Sequence, residues 1–183
     1  MEYITILFLA IGLSFDTFAV SITCGLVKTN LQFRQAIKIA FIMAFFQALM
    51  PIVGWLIANS INNYIEKYDH WIAAILLTIL GIKMILESFK KEEHKNFDPL
   101  NLKVNITLAL ATSIDALFVG FTFALFHSRV IMPVIIIGAV TFIVAMLGML
   151  FGKKIGAAFG KKLEILGGII LIIIAVKILF SHL

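Results

Sequence analysis

Two aspartates, Asp16 and Asp115, are the residues of this sequence best placed to do chemistry, because each lies deep within a long apolar stretch. A carboxylate at the centre of a lipid-spanning helix costs about 2.5–3.5 kcal/mol on insertion scales, so such residues usually face a bundle interior or a water-filled path. Together, two carboxylates would neutralise one divalent cation. The alternative interpretation is a pair of structural polar groups that hold helices together.

Three threonines share the faces of these aspartates. Thr23 follows Asp16 by two helical turns, Thr122 follows Asp115 by the same interval, and Thr112 precedes Asp115 by one turn. Their hydroxyl oxygens are therefore candidate ligands of the same cation path.

Four other polar residues are candidates with a second explanation each. Ser14 and Ser113 stand two positions before the aspartates, so they would contribute only if the helix is irregular there, and otherwise they bond back to a carbonyl or mark packing. Gln47 either bonds between helices or lines the path. Glu164 either complements the dipole at the start of its helix or receives a metal at the cytoplasmic mouth of the path.

The donor atoms indicate which ion such a site would take. Carboxylate, amide and hydroxyl oxygens favour hard cations such as Mg²⁺, Mn²⁺ or Ca²⁺. All four histidines fall at predicted helix ends or loops, and Cys24 is the single cysteine, so soft-ligand metal sites and a disulfide framework are disfavoured. No Walker motif is present, which argues against nucleotide hydrolysis by the chain itself.

The elements that carry these residues follow from composition. The chain has 183 residues, of which 62% are apolar and 14% charged, against about 45–50% and about 25% in soluble domains. A soluble domain of this length could not bury so much apolar surface. We expect an all-α integral membrane protein with six spans, the first of them retained rather than cleaved as a signal peptide. The predicted spans are Tyr3–Val27, Ala36–Ala58, Trp71–Phe89, Val104–Phe126, Val130–Phe151 and Leu163–Phe180.

Charge placement predicts the orientation. Most of the 15 basic residues lie in the first, third and fifth connections, which predicts that these connections are cytoplasmic and that both termini lie outside the cytoplasm. The net charge of +5 is accordingly attributed to basic loops, and no nucleic-acid partner is expected. Lys83 and Lys177 lie near helix ends, where we expect them to snorkel to the interface.

The two halves of the chain resemble each other. The expected organisation is a first three-helix repeat over residues 1–90, a cytoplasmic linker over 91–103 and a second repeat over 104–183. Three spans in each half would turn the second copy upside down, which is the inverted-repeat plan of secondary transporters. The aligned pairs include Asp16 with Asp115, Gln47 with Thr141, Gly54 with Gly148, and Lys83 with Lys177.

Several motifs together resemble those of the MntP-type manganese efflux pumps, within the wider LysE-like exporter group. They cover essentially the whole chain and include Ser14-Phe15-Asp16-Thr17, Pro51-Ile52-Val53-Gly54-Trp55, His70-Trp71-Ile72-Ala73, Thr112-Ser113-Ile114-Asp115 and Lys161-Lys162-Leu163-Glu164. The resemblance implies a six-span exporter of Mn²⁺ in the bacterial inner membrane, with Asp16 and Asp115 as its central aspartates. Mn²⁺ would be a transported substrate, with no permanently bound cofactor. Some family members have an acidic residue where this chain has Gln47.

Two other functions stay open on the sequence. One is export of another divalent cation or of a small solute of the LysE-like type. The other is an intramembrane aspartyl protease, although Asp115 follows Thr112-Ser113-Ile114 rather than the G-x-G-D context of such enzymes. No protein partner is indicated, and a homo-oligomer is compatible with the sequence.

Overall fold

Six helices account for nearly all of the described chain. The structure, a computed structural model, describes residues 3–28, 31–61, 69–89, 98–125, 130–155 and 157–181. Within these residues the all-helical prediction is confirmed, and each predicted span falls on one helix apart from the end residues Phe89 and Val130, while Phe126 lies outside the described residues. The helices are α1 (Tyr3–Val27), α2 (Phe33–Ile61), α3 (Asp69–Ser88), α4 (Leu102–Leu125), α5 (Ile131–Ile155) and α6 (Ala157–Ser181).

Length and composition make this a multi-pass membrane protein. Among the described helices α1, α2, α4 and α5 are long and apolar enough to cross a membrane, whereas the apolar parts of α3 and α6 are shorter, Trp71–Leu86 and Ile165–Phe180. Large apolar side chains also cover the outer surface, including Phe8, Phe41 and Ile135. A surface of this kind is stable against lipid rather than water.

The helices α5 and α6 extend beyond their predicted apolar spans. The sequence predicts a connection between Phe151 and Leu163, but α5 continues to Ile155 and α6 already begins at Ala157. Hydropathy marks where a helix lies in lipid, whereas lysine and alanine are good helix formers in any solvent. The two lysine pairs of this segment therefore lie on helical backbone rather than in a loop.

Nearly all the principal packing joins one half of the chain to the other. Among the described residues α1 packs chiefly on α5, α2 on α4, and α3 on α6, with further contacts of α2 to α5 and of α1 to α6. Two apolar clusters form the core. One contains Leu13, Leu77 and Phe123, and the other contains Cys24, Met43 and Ala145.

Glycine and proline bring α2 and α4 into close contact. A Cβ atom at Gly120 would overlap the Pro51 main chain, and one at Gly54 would overlap the Leu117 carbonyl. Pro51 lies inside α2, and because it has no N–H it removes the helical donor of the Gln47 carbonyl. Small residues at such crossings let helix backbones approach closely in lipid. The crossing fixes the part of α4 that follows Asp115.

Candidate metal centre

Polar side chains lie between the two apolar clusters on four of the helices. Along each of α1, α2, α4 and α5, residues of one cluster come before the polar positions and residues of the other cluster come after them. Residues that pack on a cluster are counted with it. We call these polar positions the polar layer. Its members are Asp16, Gln47, Thr112, Asp115 and Thr141, all buried except the half-buried Asp16.

Asp16 lies in an unbroken part of α1. Its Oδ1 accepts hydrogen bonds from the Thr17 main-chain N–H at 2.5 Å and from the Thr17 hydroxyl at 3.4 Å. The carboxylate also interacts electrostatically with Asp115 on α4 and with Lys83 on α3. The structure thus brings the two aspartates named from the sequence into one electrostatic environment.

Asp115 forms an ion pair that the sequence does not predict. The Lys83 Nζ donates to Asp115 Oδ1 at 2.6 Å, with 5% of the Asp115 side chain and 40% of the Lys83 side chain exposed. The expectation that Lys83 snorkels to the interface is therefore wrong. The ammonium compensates a carboxylate that would be costly at this depth on its own, and the long lysine stem lets it reach Asp115 from α3.

Gln47 contributes two oxygen atoms that the protein leaves without their usual donors. Its Nε2 donates to the Leu13 carbonyl of α1 at 3.3 Å, one turn before Asp16, while its buried Oε1 accepts no hydrogen bond from any residue that the structure describes. The Gln47 carbonyl also lacks its helical donor because of Pro51. A buried oxygen without a donor costs about 1–3 kcal/mol, so both atoms are available to a cation.

Thr141 is a polar-layer residue that is absent from the predicted site. It is fully buried on α5, and within the described part of the chain its Oγ1 has no hydrogen-bond partner. The signal in the sequence is its alignment with Gln47, since the two residues occupy matching positions of the second span in each half. Both members of this aligned pair therefore carry an unpaired oxygen.

The serines take the second of their predicted roles. Neither α1 nor α4 is interrupted at its aspartate. The Ser14 hydroxyl donates to the Ile11 carbonyl at 2.9 Å, and the Ser113 hydroxyl donates to the Ala109 carbonyl at 2.6 Å. Both side chains are bonded back to their own helices, as the sequence predicts for regular helices.

The three threonine candidates also donate to their own helices. Thr23 bonds to the Ala19 carbonyl, Thr112 to the Leu108 carbonyl and Thr122 to the Val119 carbonyl, at 3.1, 3.1 and 2.7 Å. A hydroxyl that donates its proton still has oxygen lone pairs for a cation.

The distances along the helix axes separate these threonines into two groups. Two turns of continuous helix place Thr23 and Thr122 about 10 Å along the axis from their aspartates, too far to share one ion with them. Thr112 is one turn from Asp115.

Two further observations define the limits of the site. Glu164 is on α6, but its side chain is outside the described part of the chain. Within the described residues no three His, Cys, Asp or Glu side chains come together as a metal site. A cation bound in the polar layer would therefore depend on amide, hydroxyl or main-chain oxygens beside the two carboxylates.

Ionisable side chains within apolar spans are typical of ion transporters, and here the half-buried Asp16 and the buried Asp115 lie on separate membrane helices. The chain also matches one known protein family over most of its length. Residues 30–179 match the family model described as "Putative manganese efflux pump", and the chain belongs to that family. This membership identifies it as a transporter rather than an enzyme, which sets aside the protease alternative.

Individual relatives match over the full length. The chain is 45% identical to the "Putative manganese efflux pump MntP" of Bacteroides thetaiotaomicron and 43% identical to the protein of the same name from Crocosphaera subtropica, each alignment covering 100% of this chain and 98% of the relative. It is 45% identical to the "Putative manganese efflux pump MntP 2" of Clostridium botulinum, over 100% of this chain and 96% of that protein. No solved structure matches the chain.

Proposed function

We propose that this chain is a secondary transporter that exports Mn²⁺ from the cytoplasm, and that the ion binds between Asp16 and Asp115 near the middle of the membrane. The observation that carries the proposal is the electrostatic interaction of two carboxylates on separate apolar helices of a protein related to manganese efflux pumps. Each carboxylate is costly at that depth on its own, and the cost is lowered when a cation is shared between them.

The charge of the pair favours a divalent ion. Two like charges held close in low-dielectric surroundings repel each other, and a divalent cation between them removes the repulsion and leaves the pair neutral. When the Lys83 ammonium is displaced from Asp115, a monovalent cation would leave one negative charge of the pair uncompensated. An anion or a zwitterionic amino acid would add to the repulsion at its carboxylate.

The surrounding oxygens favour a hard ion. The Gln47 Oε1, the Gln47 carbonyl and the Thr141 Oγ1 each lack a usual donor, and they lie in the same layer as the aspartates. Carboxylate, carbonyl and hydroxyl oxygens suit Mg²⁺, Ca²⁺ and Mn²⁺. The names of the relatives favour Mn²⁺ among these three. We assign Gln47 and Thr112 as ligands beside the aspartates, and Thr141 with them.

The threonines that lie two turns away mark successive positions of the path. In inverted repeats α1 and α4 run in opposite directions, so Thr23 would lie on the cytoplasmic side of the aspartates and Thr122 on the outer side. Both are on the faces of their aspartates and about 10 Å from them along the axis. We assign them to entry and exit rather than to the central site. Ser14 and Ser113 are assigned to helix packing, and Glu164 to the cytoplasmic mouth.

Two inverted three-helix repeats, 1–90 and 104–183 joined by the linker 91–103, supply the mechanism that we propose. Their LysE-like arrangement would have both termini outside the cytoplasm. Two observations support it. The pairing of α1 with α5 corresponds to that of α4 with α2 when the halves are exchanged. Gly148 also packs on the Phe18 carbonyl as its aligned counterpart Gly54 packs on the Leu117 carbonyl. Rocking of one half against the other would then expose the site to each side in turn.

The aspartates can be tested in cells that lack manganese export. Asp16→Ala and Asp115→Ala should each abolish resistance to external Mn²⁺ while the protein stays in the membrane at wild-type amounts. Asp98→Ala is the matched control, because Asp98 is an exposed carboxylate in the connection before α4. Resistance in either aspartate variant that equals wild type would refute the proposed site.

Everted membrane vesicles test the substrate and the energy source. Vesicles with the wild-type protein should accumulate Mn²⁺ in preference to Mg²⁺, Ca²⁺, Fe²⁺ and Zn²⁺, and the uptake should depend on an ion gradient, with the proton gradient tested first. Equal uptake of Mg²⁺ would contradict manganese specificity. Uptake that requires ATP in the absence of any gradient would contradict secondary transport.

A further inference from the structure

The Lys83–Asp115 ion pair places a positive charge on one of the two proposed metal ligands. Lys83 approaches from α3, whereas Asp115 lies on α4, and the ammonium stands 2.6 Å from Asp115 Oδ1. Oxygen ligands bind divalent cations at about 2.0–2.6 Å. The lysine nitrogen therefore occupies the position at Oδ1 that a bound cation would take.

The charges of the polar layer disfavour the Lys83 ammonium and a divalent cation being at Asp115 at the same time. Asp16 interacts electrostatically with both Asp115 and Lys83, so these three charged groups act on one another. With the lysine in place the carboxylates are partly compensated. With a divalent cation added and the lysine retained the group would carry excess positive charge, in surroundings where buried charge is expensive. Binding of the cation is thus favoured by withdrawal of the lysine.

The position of Lys83 allows its ammonium to leave Asp115. Its side chain is 40% exposed, against 5% for Asp115, so part of the lysine lies outside the closely packed interior that encloses the carboxylate. The lysine stem is flexible and Lys83 lies five residues before the end of α3 at Ser88, so the ammonium can move towards the polar boundary of the membrane when it leaves Asp115. Its aligned counterpart Lys177 donates to the Thr5 hydroxyl of α1 at 3.3 Å.

We propose that Lys83 is a tethered competitor of the transported ion, holding Asp115 when no metal is bound and leaving it when a divalent cation enters. This inference rests on the proposed function, since it assigns to Asp115 a cation as substrate. A lysine that competes for one carboxylate weakens cation binding, and it also compensates the carboxylate during the return of the empty transporter.

The test compares the Mn²⁺ affinity of the full-length chain, purified in detergent, with that of three variants by isothermal calorimetry. Lys83→Met removes the competitor and should lower the Kd for Mn²⁺ by about tenfold. Lys83→Arg should raise it several-fold, because a guanidinium binds a carboxylate through two parallel bonds and is harder to displace. Lys177→Met is the matched control and should stay within twofold of wild type.

The outcomes separate this inference from the proposed function. A Lys83→Met Kd equal to or above that of wild type overturns the inference while wild-type binding sustains the function. If Lys83→Met does not give folded protein, Lys83→Arg decides, because unchanged or tighter binding in that variant overturns the competitor role. Wild-type protein that binds no Mn²⁺ refutes the proposed function and the inference with it.

Discussion

The contact between Gly54 and α4 allows a prediction whose size follows from the structure. A Cβ atom at Gly54 would lie 2.9 Å from the Leu117 carbonyl carbon and 3.0 Å from the Phe121 nitrogen, and it would overlap the Leu117 oxygen. Ordinary contacts begin at 3.4 Å, and the Leu117 oxygen is the atom furthest inside that limit, so Gly54→Ala requires α2 and α4 to separate by at least about 1 Å. The obstructing atoms are main chain and cannot rotate away.

The expected loss of stability is modest but measurable. Overpacking costs about 1–3 kcal/mol, and the better helix propensity of alanine returns up to about 1 kcal/mol. Since the obstructing main chain cannot rotate away, we take the upper end of the overpacking cost and expect a net destabilisation of about 2 kcal/mol, which for a chain of this size lowers the Tm by roughly 4–8 °C. Because Asp115 precedes Leu117 by less than one turn, the separation also moves this carboxylate relative to Asp16, and Mn²⁺ export should fall as well.

Gly12 provides the control for this prediction. A Cβ atom at Gly12 would lie 3.5 Å from the Gly167 carbonyl oxygen, which is an ordinary contact. Gly12→Ala should therefore be neutral or stabilising by up to about 1 kcal/mol. The assay is thermal unfolding of the purified proteins in one detergent, together with vesicle uptake of Mn²⁺. A Gly54→Ala protein with a Tm at or above that of Gly12→Ala would refute the close crossing.

Three further predictions concern single sites. The Leu100 N–H and then the Lys28 ammonium hold the pKa of Asp98 below its usual range, so its stabilising charge is present at neutral pH and lost as pH falls through that lowered pKa. The Tm difference between wild type and Asp98→Asn should accordingly vanish in acid, and a difference independent of pH would contradict it. Thr141→Val removes an unpaired hydroxyl at nearly constant volume, so Mn²⁺ uptake should fall without loss of Tm. Cys24 is fully buried, so a maleimide should label it only after denaturation, and fast labelling of native protein would argue against this packing.

The helices were largely predictable, because their apolar lengths are set by the solvent rather than by tertiary contacts. The first span matches α1 at both ends, and the aspartates lie inside unbroken helices. The start of α6 was not predictable from hydropathy, since Ala157–Lys162 is helical without belonging to an apolar span. A hydropathy pattern reports where lipid begins, and helical hydrogen bonding continues beyond that point.

The two aspartates of the proposed site could be chosen from the sequence, but the lysine that pairs with Asp115 could not. Asp16 and Asp115 stand out because a carboxylate in an apolar stretch is rare and costly. The partner of Asp115 comes from another helix, and a lysine near a helix end has an interfacial explanation that is sufficient on sequence alone. Whether the Gln47 and Thr141 oxygens have a hydrogen-bond donor depends on which side chains pack beside them. Such an absence is a property of packing and leaves no local pattern.

The pairing of helices across the two halves has a consequence for how the protein is made. Since α1 packs on α5, α2 on α4 and α3 on α6, the first three helices leave the ribosome before their main partners exist. Insertion of these helices into lipid can precede packing, but the polar layer can close only when the second half has been synthesised. We therefore expect that neither half folds by itself. Two separately expressed halves should be degraded alone and stable together, so the chain can be divided in its central connection without losing its architecture.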